Sequence, residues 1–418
     1  MNQYKKNLIR TLYALICGFF FLSFISCDNT KEEPNNKEKD KSQTTILIYA
    51  VATNSLTGNL ISDKNEMLEA ASQIDLEKNN VLIFETQYKY LEDNTKVRNV
   101  CLLKLVKTHD GDNYSWEVIK EYNDGIASLN PSRITEIIDN VITNYEAENY
   151  GLVFWSHSTA SQPYFTDIDT RTDFYSETDS PIASLPLQYS FGQDLTIVNG
   201  DPYYQINIDE LANSIPDHLF DYIWFDSCYM SNIETIYEFR NKCDIFVGYP
   251  TEVLDSGLPY QNVLPYLVGD SPDPVMAAKK FFEYYSNSFG TIAVIDIRKI
   301  HNILDFCKNT YTKTNIDKGS LTRYSRYTTG PFYDLGDYTK ALSEVNGNEL
   351  VATDWDMILD SFVLYKETTS GSLLGLSIDP ERYSGISTHL YSFKEDPEEE
   401  ETLGEKYYKS LDWFNAVF

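Results

Sequence analysis

Along the chain, short continuous apolar runs alternate with stretches in which apolar residues recur every three or four positions. The first run is Thr45-Ile46-Leu47-Ile48-Tyr49-Ala50-Val51, and it stops at the polar Thr53-Asn54-Ser55. Asn80-Val81-Leu82-Ile83-Phe84, Gly151-Leu152-Val153-Phe154-Trp155, Tyr222-Ile223-Trp224-Phe225, Asp244-Ile245-Phe246-Val247-Gly248 and Thr291-Ile292-Ala293-Val294-Ile295 repeat the form. Runs this short, apolar throughout and bounded by turn residues, predict strands buried on both faces. Helical spacing falls between them, from Glu66 to Ile74, Ile208 to Ile215, Asn232 to Arg240 and Pro274 to Tyr285. Asn207 or Asp209 starts the helix that contains Ile208. Asn130-Pro131-Ser132 opens a further helix, with proline suited to its first turn, and Ile134, Ile137, Ile138, Val141 and Ile142 give it one apolar face. Val100–Val106 and Tyr114–Ile119 read as a more exposed hairpin around Asp110-Gly111-Asp112. The alternation predicts an α/β fold with a mostly parallel sheet covered on both faces, and places a ligand beyond the carboxyl ends of the strands. Two segments break the pattern: the long polar Ser158–Tyr204, of a length usually functional or disordered, and the acidic Lys394–Glu405, which reads as a solvated loop.

The amino terminus stands outside any fold argument. Lys5, Lys6 and Arg10 precede an apolar run from Thr11 to Ile25, and the small Ser26 precedes Cys27. That is the form of a secretory signal over residues 1–26, too short and wrongly flanked to remain as a membrane span. A cysteine directly after the small residue resembles a bacterial lipobox, so Cys27 is the expected lipidation site and the membrane an expected partner through that lipid. Asp28 to Gln43 is almost wholly polar and reads as a flexible tether. A folded domain is expected over 44–300, with 301–418 as a carboxy-terminal extension or subdomain packed on it.

The formal charge of −29 becomes more negative once the basic signal is removed. It argues against nucleic acid and anionic membrane surfaces as partners, since both reward the opposite sign. Cys17 lies in the signal and Cys27 at the anchor; Cys101, Cys228, Cys243 and Cys307 are too widely spaced for a disulfide framework. No Cys-x-x-Cys or His-Glu-x-x-His supports a zinc site, and the scattered acidic residues form no recognisable calcium loop. No metal or other cofactor is expected, and the chain is expected to be a monomer.

Two residues carry the candidate chemistry. His157 follows the run ending at Trp155, and Cys228 follows the run ending at Phe225. If those strands are parallel neighbours, the imidazole and the thiol emerge at one sheet edge, as nucleophilic acyl transfer requires. Cys228 also lies where a helix is expected to begin, and a helix amino terminus would stabilise its thiolate. Taken singly, a cysteine near a strand end is more often an apolar filler.

Leu152-Val153-Phe154-Trp155-Ser156-His157 resembles the histidine motif of clostripain-type cysteine peptidases. Phe225-Asp226-Ser227-Cys228-Tyr229-Met230-Ser231-Asn232-Ile233-Glu234 resembles their nucleophile motif. Ile46–Ala50, Ile208–Ala212, Leu258-Pro259-Tyr260 and Thr291–Ile297 resemble further family segments in the same order, over roughly Thr44 to Ile300. Beyond Ile300 the resemblance thins to fragments such as Leu374–Ile378. It implies a caspase-like α/β/α sandwich and endopeptidase activity on proteins or peptides after Arg or Lys, with Cys228 as nucleophile and His157 as proton carrier. Asp226 would line the pocket for the basic residue, with Asp255 and Glu252 as weaker candidates; a carboxylate facing a guanidinium gives charge-assisted recognition. The alternative for Asp226 is a cap on the following helix. The backbone amides of Ser158 and Cys228 would hold the oxyanion. The family generally has Gly where Ser158 stands, and Asp255-Ser256-Gly257 is a loose form of its acidic loop. These departures leave a second reading, an inactive surface lipoprotein that keeps the fold as a binding scaffold. Family members are often activated by a self-cut between histidine and cysteine, where Arg171 is the only Lys or Arg in this chain. The expected location is the bacterial envelope, by the lipid on Cys27.

Overall fold

The computed structural model describes residues 41–111, 113–160, 190–194, 205–310, 316–325, 332–345, 347, 351–373, 375–390 and 403–418. The amino-terminal half runs β1 (Ser42–Ala52), α1 (Thr57–Ala70), β2 (Asn79–Tyr90), β3 (Lys96–Lys107), β4 (Tyr114–Glu121), α2 (Pro131–Asn144) and β5 (Ala147–Trp155). Then come α3 (Ile208–Asn213), β6 (Phe220–Asp226), α4 (Ile233–Glu238), β7 (Cys243–Gly248), α5 (Tyr260–Val263), α6 (Pro274–Tyr285) and β8 (Thr291–Asp296). The chain continues through α7 (Ile300–Thr310), β9 (Phe332–Asp334), α8 (Leu335–Val345), α9 (Val351–Phe362), β10 (Val363–Thr368), β11 (Ser387–His389), α10 (Leu403–Ser410) and α11 (Asp412–Val417).

Among the described residues, nine strands form one sheet in the order β10-β8-β7-β6-β5-β1-β2-β3-β4. Its centre, from β7 to β2, is parallel. The flanks are antiparallel, with β3 and β4 on one side and β8 and β10 on the other. Successive strand residues face opposite ways, so a strand apolar at every position needs cover on both faces. Leu47, Tyr49 and Val51 join Leu152, Phe154, Ile223 and Phe225 in one core with α2, α4, α7 and α8. Ile46, Ile48 and Ala50 join Val153, Trp155 and Trp224 in the other core, under α1, α5 and α6. Each fully buried Val, Leu, Ile or Phe among them contributes ~1.5–3 kcal/mol. The result is the α/β/α sandwich that the apolar runs and the family resemblance called for.

Two elements differ from the sequence expectation. Helix α1 begins at Thr57, well before Glu66. Its first turns bury Asp63 where an apolar residue would have shown the period, and the Trp155 indole satisfies that carboxyl by donating from Nε1 at 2.7 Å. The residues after 300 are also woven into the sandwich. Strand β10 extends the sheet beside β8, and the backbone amide of Ser387 donates to the Ser231 carbonyl at 2.8 Å.

Candidate active site

The register of β5 on β6 decides where the two candidate residues emerge. Phe154 pairs with Phe225 and Trp155 with Asp226. The rings of Phe154 and Phe225 stack with centroids 5.1 Å apart, a contact worth ~1 kcal/mol that holds the two strand ends level. His157 and Cys228 each lie two residues beyond the last register pair, so they leave one sheet edge from adjacent parallel strands.

Hydrogen bonds hold both turns. Ser156 Oγ donates to the Val51 carbonyl at 2.7 Å, tying the histidine turn to β1. The buried Ser158 donates its hydroxyl to the Cys228 carbonyl at 2.5 Å, tying the same turn to the cysteine turn. Behind them, the Gly192 amide donates to the His157 carbonyl and the Thr159 amide to the Ser190 carbonyl, each at 2.9 Å. His157 is half-buried, with Nε2 2.9 Å from the hydroxyl of Ser55, which sits just past β1. After Cys228, Tyr229 takes a left-handed backbone conformation at φ +63°, which costs a non-glycine residue roughly 1–2 kcal/mol. Its amide donates to the Thr251 carbonyl at 2.9 Å and its hydroxyl to the Glu252 carboxylate, which together over-determine the turn.

Two expectations about this turn are corrected. Helix α4 begins only at Ile233, so Cys228 is not at a helix amino terminus and gains no stabilisation from one. Asn232 caps that helix by accepting from the Thr235 amide at 3.3 Å, so Asp226 is not the cap. The thiol accordingly moves the other way. Burial pushes Cys228 up to about 12, with the charges of Glu252 and Asp226 adding to the effect. Its sulfur lies 3.9 Å from the Val253 carbonyl oxygen. Burial also lowers the His157 imidazole, against an opposing pull from Asp255. Both groups therefore rest neutral, one a thiol and the other an imidazole, so a thiolate here would have to be made by proton transfer.

The three carboxylates expected around a basic-residue pocket are in three environments. Asp226 is buried, and its Oδ2 accepts from the Leu258 amide at 3.1 Å and the Tyr260 hydroxyl at 3.3 Å. Its Oδ1 is buried with no hydrogen-bond partner among the described residues. Burial pushes its carboxyl up to about 7. Asp63, on the same face of the sheet, is pushed up to about 9 by burial and by the charge on Asp226. Gly257 packs against Asp226 so closely that a Cβ there would lie 2.9 Å from Oδ2. Glu252 is buried behind the cysteine turn and engages Tyr229, while Asp255 is exposed and acts on His157 through its charge.

Cys27, Arg171 and the signal segment 1–26 lie outside the described residues, as does most of the acidic loop Lys394–Glu405. Among the described residues, no group of three or more His, Cys, Asp or Glu side chains could hold a metal ion, and no helix is long and apolar enough to cross a membrane. Sequence reasoning missed Ser55, Asp63 and the side chain of Ser158. Only the polar stop Thr53-Asn54-Ser55 after a buried run hinted at the first. Its meaning depends on β1 lying beside β5.

The family model described as the clostripain family matches residues 48–181 and 192–413. The chain belongs to the clostripain family. This clostripain-family protein is a cysteine peptidase with a caspase-like fold. The match extends to residue 413, past the point at which motif resemblance alone thins. The peptidase is similar to a secreted cysteine protease of the same family from Bacteroides thetaiotaomicron, solved with an irreversible peptide inhibitor. That pair shares 24% identity and a TM-score of 0.70, covering 90% of this chain and 98% of that one. It is also similar to an inactive zymogen from Parabacteroides distasonis, at 25% identity and a TM-score of 0.70 over 91% of this chain and 99% of that one. A further structure from B. thetaiotaomicron, called iotapain, is 23% identical with a TM-score of 0.71, covering 90% of this chain and 100% of that one. No curated relative matches the peptidase.

Proposed function

We propose that this clostripain-family peptidase is an envelope-anchored endopeptidase that cuts proteins or peptides after Arg or Lys, with Cys228 as nucleophile and His157 as proton carrier. The observation that carries the reading is the emergence of both side chains at one sheet edge from neighbouring parallel strands in register. His157 takes the thiol proton, the sulfur attacks the scissile carbonyl carbon, and the imidazolium returns the proton to the leaving amine. Water then attacks the thioester, giving its proton to His157, and the thiol is restored. The amides of Ser158 and Cys228 donate to the oxyanion.

Asp226 supplies the preference for a basic residue. A buried carboxylate with one unpartnered oxygen favours an incoming cation, which replaces its lost hydration by charge-assisted hydrogen bonds. The chain self-cuts after Arg171. In support, the thiol is held neutral, Asp226 is closed off from solvent, and one solved relative is an inactive zymogen. The lipid on Cys27 anchors the mature protein to the envelope, and the polar stretch from Asp28 to the start of β1 tethers it.

The test is cleavage of matched fluorogenic peptides ending in Arg, Lys or an uncharged residue by residues 28–418 under reducing conditions, beside Cys228→Ala, with intact mass recorded for both. Turnover after basic residues that is lost in Cys228→Ala is the expected result, with a break after Arg171 in the wild type only. Turnover after uncharged residues would remove the role of Asp226. An inert folded wild type, even after nicking of the loop, would leave the scaffold reading.

A further inference from the structure

Imidazole has two nitrogens that point away from each other, and the partner of one decides which can act as base. Strand β5, which delivers His157, lies between β1 and β6. Cys228 therefore approaches from the β6 side. Ser55 approaches from the β1 side, and its Oγ is 2.9 Å from His157 Nε2.

Ser55 has no packing role of its own, since it is exposed. The turn that carries it is nonetheless fixed on both flanks. Thr53 donates its hydroxyl to Asp194 Oδ1 at 2.5 Å, and Arg98 holds the other oxygen of that buried carboxylate at 2.9 Å. Asn54 donates from Nδ2 to the carbonyls of Val51 at 3.1 Å and Gln193 at 2.8 Å, and its Oδ1 accepts from the Leu56 amide at 2.8 Å. Thr57 donates to the Ala52 carbonyl at 2.5 Å. Thr53, Asn54 and Thr57 thus spend their side chains on fixing the turn that presents Ser55. An exposed serine placed this firmly against the ring of the candidate base is a built contact.

We propose that Ser55 is a positioning residue for His157. Its hydroxyl oxygen accepts Nε2–H, so the neutral ring carries its proton on Nε2 and presents Nδ1 as the nitrogen that takes the Cys228 proton. When Nδ1 is protonated, the ring keeps both N–H bonds, and Ser55 still accepts from Nε2. Ser55 itself gains and loses no proton. Its oxygen stabilises the imidazolium that exists only after proton transfer, so its effect falls on the chemical step and not on substrate capture. The inference rests on the reading of His157 and Cys228 as the reacting pair.

Two measurements test it. The first is the nitrogen spectrum of ring-labelled His157 in reduced protein above the imidazole titration, which requires no turnover. The Nε2–H tautomer is expected, and an Nδ1–H tautomer would overturn the proposal. The second is steady-state cleavage by Ser55→Ala and Ser55→Thr. Loss of one hydrogen bond to a charged group predicts kcat about tenfold lower in Ser55→Ala with KM unchanged. Ser55→Thr, which keeps the hydroxyl at an exposed site, should restore it. Equal kcat in Ser55→Ala and wild type, or equal losses in the Ala and Thr variants, would refute the positioning role. A wild type without turnover would sink the peptidase assignment of the pair, while the ring tautomer would still decide the Ser55 contact.

Discussion

The buried carboxyl of Asp226 should leave a signature in the pH dependence of folding. Burial raises it from 3.8 to about 7, a displacement equivalent to ~4 kcal/mol. Because the folded-state value is the higher one, the folded chain binds more protons than the unfolded chain between those limits. This group's contribution to stability is therefore complete below pH 3.8 and is lost as pH rises through 7. About 2–3 kcal/mol of the loss falls between pH 5 and pH 8. Asp226→Asn keeps the shape and removes the titration. It also removes the Asp226 charge from Asp63, whose carboxyl is raised to about 9, so the coupled effect has the same sign. The assay is urea unfolding across that pH range, comparing Cys228→Ala with Cys228→Ala/Asp226→Asn so that self-cleavage does not intrude. Groups elsewhere titrate alike in both proteins and cancel. The double variant should gain on the single one by about 2–3 kcal/mol from pH 5 to pH 8. Parallel stability curves would refute the argument that burial raises this carboxyl.

Other perturbations follow from the same geometry. Gly257→Ala puts a Cβ 2.9 Å from Asp226 Oδ2 at a φ of +56°, so the unfolding midpoint should fall by the equivalent of ~1–2 kcal/mol and KM for Arg peptides should rise; an unchanged midpoint would contradict the close packing. Ser158→Gly removes the hydroxyl bond to the Cys228 carbonyl and should cost ~1 kcal/mol in thermal unfolding, whereas a more stable variant would show that the serine strains the turn. Arg171→Ala should remain one chain by intact mass; continued cleavage in that loop would place the cut elsewhere. Cys27→Ala should move the protein from the membrane fraction to the soluble fraction, and retention at the membrane would dismiss the lipid anchor.

Much of the scaffold was legible because burial leaves a local trace. A central strand covered on both faces has no polar position to spare, so β1, β5, β6, β7 and β8 stand out as apolar runs. Helix α6 is bounded as expected because Pro274 starts it and its apolar face is regular. Helix α1 was half hidden because the buried Asp63 interrupts its apolar stripe. The region after 300 was hardest to read. Its backing of Ser231 through Ser387, and of Glu234 through Thr388 and Tyr408, joins residues far apart in the chain.

The sequence by itself determined the sandwich and its family, and it marked His157 and Cys228 as the residues to watch. Those properties depend on neighbouring residues, through the burial of continuous apolar segments and through two short motifs. Only the tertiary structure decided that β5 lies between β1 and β6, that Ser55 meets Nε2 of His157, and that Ser158 joins the two turns. It also decided the charge state of the site. A thiol or a carboxyl is moved from its ordinary ionisation by the water that distant segments exclude, and that exclusion exists only once the chain has packed.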